Sequence, residues 1–166
     1  MAAGVGVDML EIARMERVIK RRPSFLRRVF TDEERAYCDS FARPAEHYAA
    51  RFAAREAVLK ALGTGFSEGI GVKDVSVIND ESGRPLAILT GRAKEIAAEK
   101  GVQEIALSLS HTQEVAVANA VAVTEESRPK VEDRPDPAQE LLASFKAART
   151  VIDELERQQL SLFDKM

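Results

Sequence analysis

Residues 51–65 read RFAAREAVLKALGTG, and this stretch decides the fold. Pro44 lies seven residues before it, at a position that opens helices, and Gly63 stands near its end, where helices close. The sequence therefore predicts one long helix over roughly residues 45–62. Its many alanines, together with Phe52, indicate a helix that is buried on most sides.

Glu56 and Lys60 are the charged pair of this helix that bears on function. They lie four residues apart and share one stripe of the helix with Phe52. One interpretation is an exposed ion pair that stabilises the helix by about 0.3–0.5 kcal/mol. The other is the wall of a site that handles phosphate and metal. The turn with Gly63 and Gly65 favours the second, because its backbone N–H groups can approach an anion closely.

The remaining elements predict an α+β fold, with an antiparallel sheet packed against the long helix and an extra C-terminal helix. Residues 3–9 indicate a short buried strand, and residues 31–34, TDEE, form a helix-starting capping box. The second half is strand-rich, with the runs VSVIND, PLAILT, EIALSLSHT and VAVANAVAV. The last two suggest a hairpin buried on both faces. Its small side chains, at 116, 118, 120 and 122, suggest a close-packed neighbour.

Asp8 is the second candidate functional residue, because it ends an apolar strand. A buried carboxylate is costly unless it is paired or binds a metal. One interpretation makes Asp8 the N-cap of the helix that follows. In the other, Asp8 faces a carboxylate on a helix, and the two carboxylates form an oxygen-rich site that suits Mg²⁺.

The third candidate element is the SHT stretch, where a strand becomes a turn. His111 is either a turn residue satisfied by its neighbours or a donor to phosphate. In the second case Ser110 and Thr112 supply hydroxyl groups. A short stretch of this kind carries little information alone.

Composition narrows the class of protein. The net charge is −3, so the chain has no overall positive charge that would favour binding to nucleic acid or to a membrane surface. Cys38 is the only cysteine, and there are two histidines, which excludes an internal disulfide and disfavours a zinc site. The N-terminal residues lack the pattern of a signal peptide or a membrane span, so we expect a cytoplasmic protein.

The sequence divides into three parts. Residues 1–123 form the predicted domain, and residues 124–137, rich in proline and charge, are typical of a linker. Residues 138–166 predict an amphipathic helix and tail, whose apolar seam is formed by Leu141, Phe145, Ala148, Ile152 and Leu155. Gln159–Phe163, QLSLF, is similar to short peptides that bind the bacterial sliding clamp. The alternative is that its apolar residues pack on the domain.

Five motifs, in order and spacing, resemble the holo-acyl-carrier-protein synthases, a branch of the 4′-phosphopantetheinyl transferases. The motifs are GVGVDMLEIARM at 4–15, FTDEE at 30–34, RFAAREAVLKALGTG at 51–65, SGRP at 82–85 and LSLSHT at 107–112. The resemblance covers residues 4 to about 123. It implies transfer of the phosphopantetheine arm of coenzyme A to a serine of apo-acyl carrier protein, with release of adenosine 3′,5′-bisphosphate.

The resemblance also implies roles for individual residues. Asp8 and Glu56 would hold Mg²⁺ against the coenzyme A pyrophosphate, Glu56 would help to take the serine proton, and Lys60 would neutralise the phosphates. The residues implied to contact coenzyme A are Arg51, Lys60, Gly63, Gly65, Gly83, Arg84, Pro85, Ser110, His111 and Thr112. Those implied to contact the acidic carrier protein are Arg14, Arg17 and Arg21. The family further suggests a homotrimer with sites shared between subunits.

One position departs from the family pattern. The family usually has lysine before the glutamate, whereas this chain has Arg55. If that lysine assists proton transfer, arginine is a poor substitute, and if it only pairs with an anion, little is lost. The alternative to an enzyme is a module that binds coenzyme A or carrier protein without catalysis.

Overall fold

The computed structural model describes residues 4–127 and 144–154, which belong to two compact units, Met1–Arg128 and Pro129–Met166. The first unit begins with a strand and contains most of the secondary structure. Its elements are β1 (Gly4–Glu11), α1 (Ile12–Arg21), α2 (Ser24–Val29), α3 (Asp32–Asp39), α4 (Pro44–Leu62), β2 (Val75–Asn79), β3 (Pro85–Leu89), α5 (Gly91–Glu99), β4 (Val102–His111), β5 (Val115–Thr124) and a 3₁₀ turn (Glu125–Ser127).

The strands form two antiparallel sheets. One has three strands in the order β1-β5-β4, and the other is the hairpin of β2 and β3. The hairpin closes through Gly83, whose φ of 84° favours glycine. The predicted α+β fold, with an antiparallel sheet against a long helix, is confirmed.

The long helix α4 occupies the centre of the first unit. Pro44 lies in its first turn, and Gly63 ends it in the left-handed conformation with φ 73°. Fourteen of the nineteen residues of α4 are buried, and Ala53, Ala54 and Ala57 are fully inaccessible. The small side chains allow both the sheet and the hairpin to approach the helix closely.

Two glycines bring β1 into direct contact with α4. A Cβ at Gly6 would lie 1.9 Å from the Ala57 carbonyl oxygen, and one at Gly4 would lie 2.0 Å from that of Ala61. No larger residue fits these positions without moving the strand. Asp8 is the next residue on the same face of β1, so it is held beside the helix.

The structure corrects one interpretation of the sequence. Asp8 pairs with Ala118 inside β1, and α1 starts only after Glu11, so Asp8 is not a helix N-cap. The small side chains of β5 are buried against α4, which is the close-packed neighbour that they suggested.

The opposite face of the three-stranded sheet is open in this chain. Val5 is 67% exposed, Val7 is 47% exposed and Met9 is 66% exposed. On β5, Asn119 is exposed and Val117 is only half-buried. The prediction that the β4–β5 hairpin is buried on both faces is therefore wrong for the single chain.

A buried ion pair fastens α4 to its neighbours. Nη2 of Arg55 donates to both carboxylate oxygens of Glu34, at 3.2 and 3.0 Å, and its Nε donates to the Val75 carbonyl oxygen at 2.6 Å. Glu34 also accepts from the backbone N–H groups of Thr31 and Val77. The capping box is thus present, and its glutamate also binds α4 and β2.

The second unit is described over residues 144–154, which are helical and exposed. Phe145 and Ile152 of the predicted apolar seam belong to this helix and are 66% and 55% exposed. The clamp-like stretch at 159–163 lies outside the described residues, as does most of the predicted linker. Within the described ranges, no helix is long and apolar enough to cross a membrane.

Candidate active site

Asp8, Glu56 and Lys60, which are far apart in sequence, line one cavity of about 460 Å³. β1 supplies Asp8, and the stripe of α4 that includes Phe52 supplies Glu56 and Lys60. The rest of the wall is mainly apolar and comes from β1, α1, α2 and α4. Its members are Met9, Leu10, Arg14, Met15, Val18, Phe25 and Phe52.

Lys60 is bound to β1. Its Nζ donates to Asp8 Oδ1 at 2.8 Å and to the Val7 carbonyl oxygen at 3.0 Å. The Lys60 side chain is half exposed, whereas that of Asp8 is only 19% exposed. The hydrogen bond to Asp8 raises the pKa of Lys60 above its ordinary value, which keeps the ammonium charged.

Glu56 lies in an environment that opposes its negative charge. Burial raises the pKa of its carboxyl above the ordinary value, and the nearby charge of Asp8 raises it further. Lys60 and Arg55 act in the other direction, with smaller effects. A carboxylate of raised pKa is better suited to accept a proton than an ordinary surface glutamate.

The donor set of the cavity fits a magnesium ion bound together with a phosphorylated ligand. Mg²⁺ commonly uses one or two carboxylates and completes its shell with waters and substrate phosphates. Asp8 and Glu56 supply two carboxylates, and their mutual repulsion in the cavity favours a bound cation. Within residues 4–127 and 144–154, no group of three or more histidine, cysteine, aspartate or glutamate side chains could hold a metal ion.

A second group of predicted residues surrounds the hairpin turn. Arg51 is buried, its Nη2 donates to Asn79 Oδ1 at 2.7 Å, and its guanidinium lies 3.8 Å from the centre of the Tyr37 ring. Asn79 in turn donates to the Gly83 carbonyl oxygen at 2.8 Å. Arg51 is therefore connected to the SGRP turn, although its Nε has no hydrogen-bond partner among residues 4–127 and 144–154.

His111 and Thr112 lie at the end of β4. Both are exposed, and Thr112 Oγ1 accepts from the backbone N–H groups of Glu114 and Val115. The His111 ring lies 6.1 Å from that of His47, which stacks on Phe41 at 3.8 Å. Burial lowers the pKa of His47 below its ordinary value, and the charges of Arg51 and His111 lower it further.

Several residues of this second group were missed by the sequence analysis. They are Tyr37, Phe41, His47 and Asn79. His47 is four residues before Arg51, and this helical spacing is the signal that could have placed it there. Asn79 immediately precedes the turn, but nothing in the sequence shows that its side chain meets Arg51.

The remaining predicted coenzyme A residues have open surroundings. Gly63 and Gly65 follow α4, and a Cβ at Gly65 would contact no atom of the described residues within 4 Å. Arg84 is exposed, and its Nη2 lies 3.8 Å from a carboxylate oxygen of Glu104. Pro85 begins β3, and Ser110 is exposed on β4.

The two groups lie on different sides of α4. Phe52, Glu56 and Lys60 face the cavity, whereas Arg51 and Arg55 face β2. None of Arg51, Arg84, His111 and Thr112 lines the cavity that contains Asp8. The single chain therefore presents two incomplete groups instead of one continuous site.

A basic groove adjoins the cavity on α1. It has a volume of about 370 Å³, and Phe25 and Val18 form its apolar part. Its cationic lining is formed by Arg14, Arg17, Arg21 and Arg22. Arg14 lines both the groove and the cavity, so the two are continuous.

Comparisons with known proteins identify the family. A model of the 4′-phosphopantetheinyl transferase superfamily matches residues 4–120. A holo-[acyl-carrier-protein] synthase of Moorella thermoacetica is 50% identical over 122 residues, covering 74% of this chain and 93% of the relative.

Solved structures of similar fold indicate the same family. A Helicobacter pylori holo-[acyl-carrier-protein] synthase in complex with coenzyme A has a TM-score of 0.64 at 29% identity, covering 72% of this chain and 99% of that one. A Bacillus anthracis synthase in complex with CoA (3′,5′-ADP) has a TM-score of 0.60 at 33% identity, covering 73% and 96%. The chain therefore belongs to the 4′-phosphopantetheinyl transferase superfamily and, within it, to the holo-[acyl-carrier-protein] synthases.

Proposed function

We propose that this chain transfers 4′-phosphopantetheine from coenzyme A to a serine hydroxyl of an apo-acyl carrier protein, in a Mg²⁺-dependent reaction. The second product is adenosine 3′,5′-bisphosphate. Family membership implies phosphopantetheinyl transfer, and the observation that carries the finer proposal is the convergence of Asp8, Glu56 and Lys60 on one cavity. Related structures contain coenzyme A or 3′,5′-ADP, which agrees with the proposed co-substrate and product.

The reaction forms a bond between the serine oxygen and the β-phosphorus and breaks the phosphorus–oxygen bond to the bisphosphate. Glu56 accepts the serine proton, since its surroundings raise its proton affinity. Lys60 places a positive charge against the phosphates, and Asp8 with Glu56 would hold the magnesium ion. When bound, this ion supplies neutralisation of the charge that develops on the phosphoryl oxygens.

The basic groove on α1 is proposed to dock the carrier protein. Carrier proteins of this class are acidic, and four arginines line the groove beside the cavity. Docking there brings the carrier's serine near Glu56.

The active assembly is proposed to be a homotrimer. The second group of predicted residues, around Arg51 and His111, lies outside the cavity of the same chain. A neighbouring copy therefore has to supply these residues to the site. The open sheet face of Val5, Val7 and Met9 supplies an apolar surface for such an association. A cytoplasmic location stays a prediction.

The transfer is tested by mass spectrometry of apo-acyl carrier protein incubated with coenzyme A and Mg²⁺. We expect a mass gain equal to one phosphopantetheine with the full chain, and loss of that gain when the cation is chelated. A chain truncated after Ser127 should give the same mass gain, because the match to the superfamily model ends at residue 120. Ser127 is kept because its Oγ accepts a hydrogen bond from the Thr124 N–H at 2.8 Å. Coenzyme A binding without any mass gain on the host's own carrier protein would indicate a non-catalytic binding module instead.

A further inference from the structure

The strongest unexplained contact in the cavity is the one between Lys60 and β1. Two donors of the Lys60 ammonium are engaged by Asp8 Oδ1 and the Val7 carbonyl oxygen, at 2.8 and 3.0 Å. An ammonium group has three donors, so only one remains for a ligand. In this arrangement Lys60 is a counter-ion of Asp8.

The same carboxylate is assigned to the divalent cation in the proposed function, on which this inference rests. We propose that Lys60 occupies the cation's position at Asp8 in the free protein and transfers to a coenzyme A phosphate when substrate binds. The ammonium and the cation then exchange, and the Asp8 carboxylate remains paired with a positive charge throughout.

The exchange follows from the geometry of the two partners. The Lys60 ammonium already lies 2.8 Å from Asp8 Oδ1. A divalent cation bound to the same oxygen would lie close to the ammonium, and the two positive charges would repel each other. Mg²⁺ also demands near-ideal octahedral geometry, so it needs this side of the carboxylate to be clear.

Lys60 can leave at small cost because its side chain is half exposed and lies on the cavity rim. Phosphate oxygens offer it charge-assisted hydrogen bonds that compensate for those lost at Asp8 and Val7. The pyrophosphate therefore removes the competitor and supplies metal ligands at the same time.

The consequence is cooperative binding of coenzyme A and the cation. By linkage, coenzyme A should raise cation affinity by the same factor by which the cation raises coenzyme A affinity. Without coenzyme A, the carboxylate pair should bind a divalent cation weakly, even though Asp8 and Glu56 already lie in one cavity.

The test measures Mn²⁺ binding to the full chain by electron paramagnetic resonance, with and without coenzyme A. Lys60→Met should bind Mn²⁺ about tenfold more tightly than the wild type in the absence of coenzyme A, a typical size for such coupling. Coenzyme A should then enhance Mn²⁺ binding much less in Lys60→Met than in the wild type. Lys60→Arg, which keeps a positive charge, should remain near the wild type.

Arg14→Met is the matched control, since it removes one positive charge from the same cavity wall. If Arg14→Met tightens Mn²⁺ binding as much as Lys60→Met, the effect is long-range electrostatics and the exchange is overturned. Equal coenzyme A enhancement in Lys60→Met and the wild type would overturn it as well.

Asp8→Asn separates this inference from the proposed function. Loss of Mn²⁺ binding in Asp8→Asn, with no change in Lys60→Met, would reject the exchange and leave the metal assignment intact. Undiminished Mn²⁺ binding in Asp8→Asn, with coenzyme A present, would reject both.

Discussion

Glu56 combines raised proton affinity with a place on the cavity wall. We expect Glu56→Gln to lower transfer by at least about 10²-fold, the usual range for a lost general base. Its folded-state pKa is raised, so the carboxyl's contribution to stability is complete below its ordinary pKa of 4.5 and is lost as pH rises through the folded value.

Without metal, the melting temperature of Glu56→Gln at pH 7 should therefore be no lower than that of the wild type. The two melting temperatures should become equal at acidic pH. Thermal melts at several pH values and the carrier-protein mass assay check both parts. Unchanged turnover would remove Glu56 from the mechanism.

Arg55 supports the fold from a position next to Glu56. Arg55→Met leaves the buried Glu34 carboxylate unpaired and should lower the free energy of unfolding by about 3–5 kcal/mol. Arg55→Lys keeps the charge but loses the Nε hydrogen bond to Val75, so we expect a loss of about 1 kcal/mol.

Urea unfolding measures these changes, and transfer per folded molecule should stay near the wild-type level in Arg55→Lys. A large fall in turnover without loss of stability would instead place Arg55 in proton transfer. The sequence left both roles open for this residue. Only the structure shows that its partner is Glu34, twenty-one residues earlier.

At the scale of elements, the contact between β1 and α4 sets the geometry of the cavity. Gly6→Ala would place a Cβ 1.9 Å from the Ala57 carbonyl oxygen, so strand and helix must separate. Overpacking of this kind costs about 1–3 kcal/mol. We expect lower stability and reduced transfer together, because Asp8 shifts relative to Glu56 and Lys60. Wild-type values of both quantities would show that the strand adapts elsewhere.

Element boundaries followed well from local signals in the sequence. Pro44, Gly63 and the capping box of Thr31 and Glu34 mark helix ends by their own chemistry, and the structure places them there. The partner of each face was harder to predict. The small side chains of β5 indicate close packing but not which element packs against them. Alternation of side chains along a strand defines two faces, but it does not show which partner covers either face.

The candidate site followed from the sequence only in part. Asp8 and Glu56 were paired through the resemblance, and their shared cavity agrees with that pairing. The contact of Arg51 with Asn79 depends on how a hairpin docks on a helix, which local patterns do not encode. The separation of Arg51 and His111 from the cavity likewise depends on the three-dimensional arrangement of the elements.

At the scale of the whole molecule, the open sheet face is where assembly can be tested. Val5→Glu places a charge on this apolar surface, and we expect it to convert a trimer into monomers and to lower transfer. Val72→Glu is the control, because Val72 is also apolar and 42% exposed but lies in a loop. Light scattering coupled to size exclusion measures the mass. A monomeric wild type, or a trimeric Val5→Glu, would contradict the proposed assembly.

The buried glutamate of the capping box has a consequence for biosynthesis. Glu34 accepts hydrogen bonds from Thr31, Arg55 and Val77, and Arg55 also donates to the carbonyl oxygen of Val75 in β2. As the polypeptide leaves the ribosome, residues 31–55 emerge well before Val77. The ion pair of Glu34 and Arg55 must therefore stay hydrated in the nascent chain until the hairpin of β2 and β3 has been synthesised. Helices α3 and α4 should then acquire their final burial late, in one cooperative step with that hairpin.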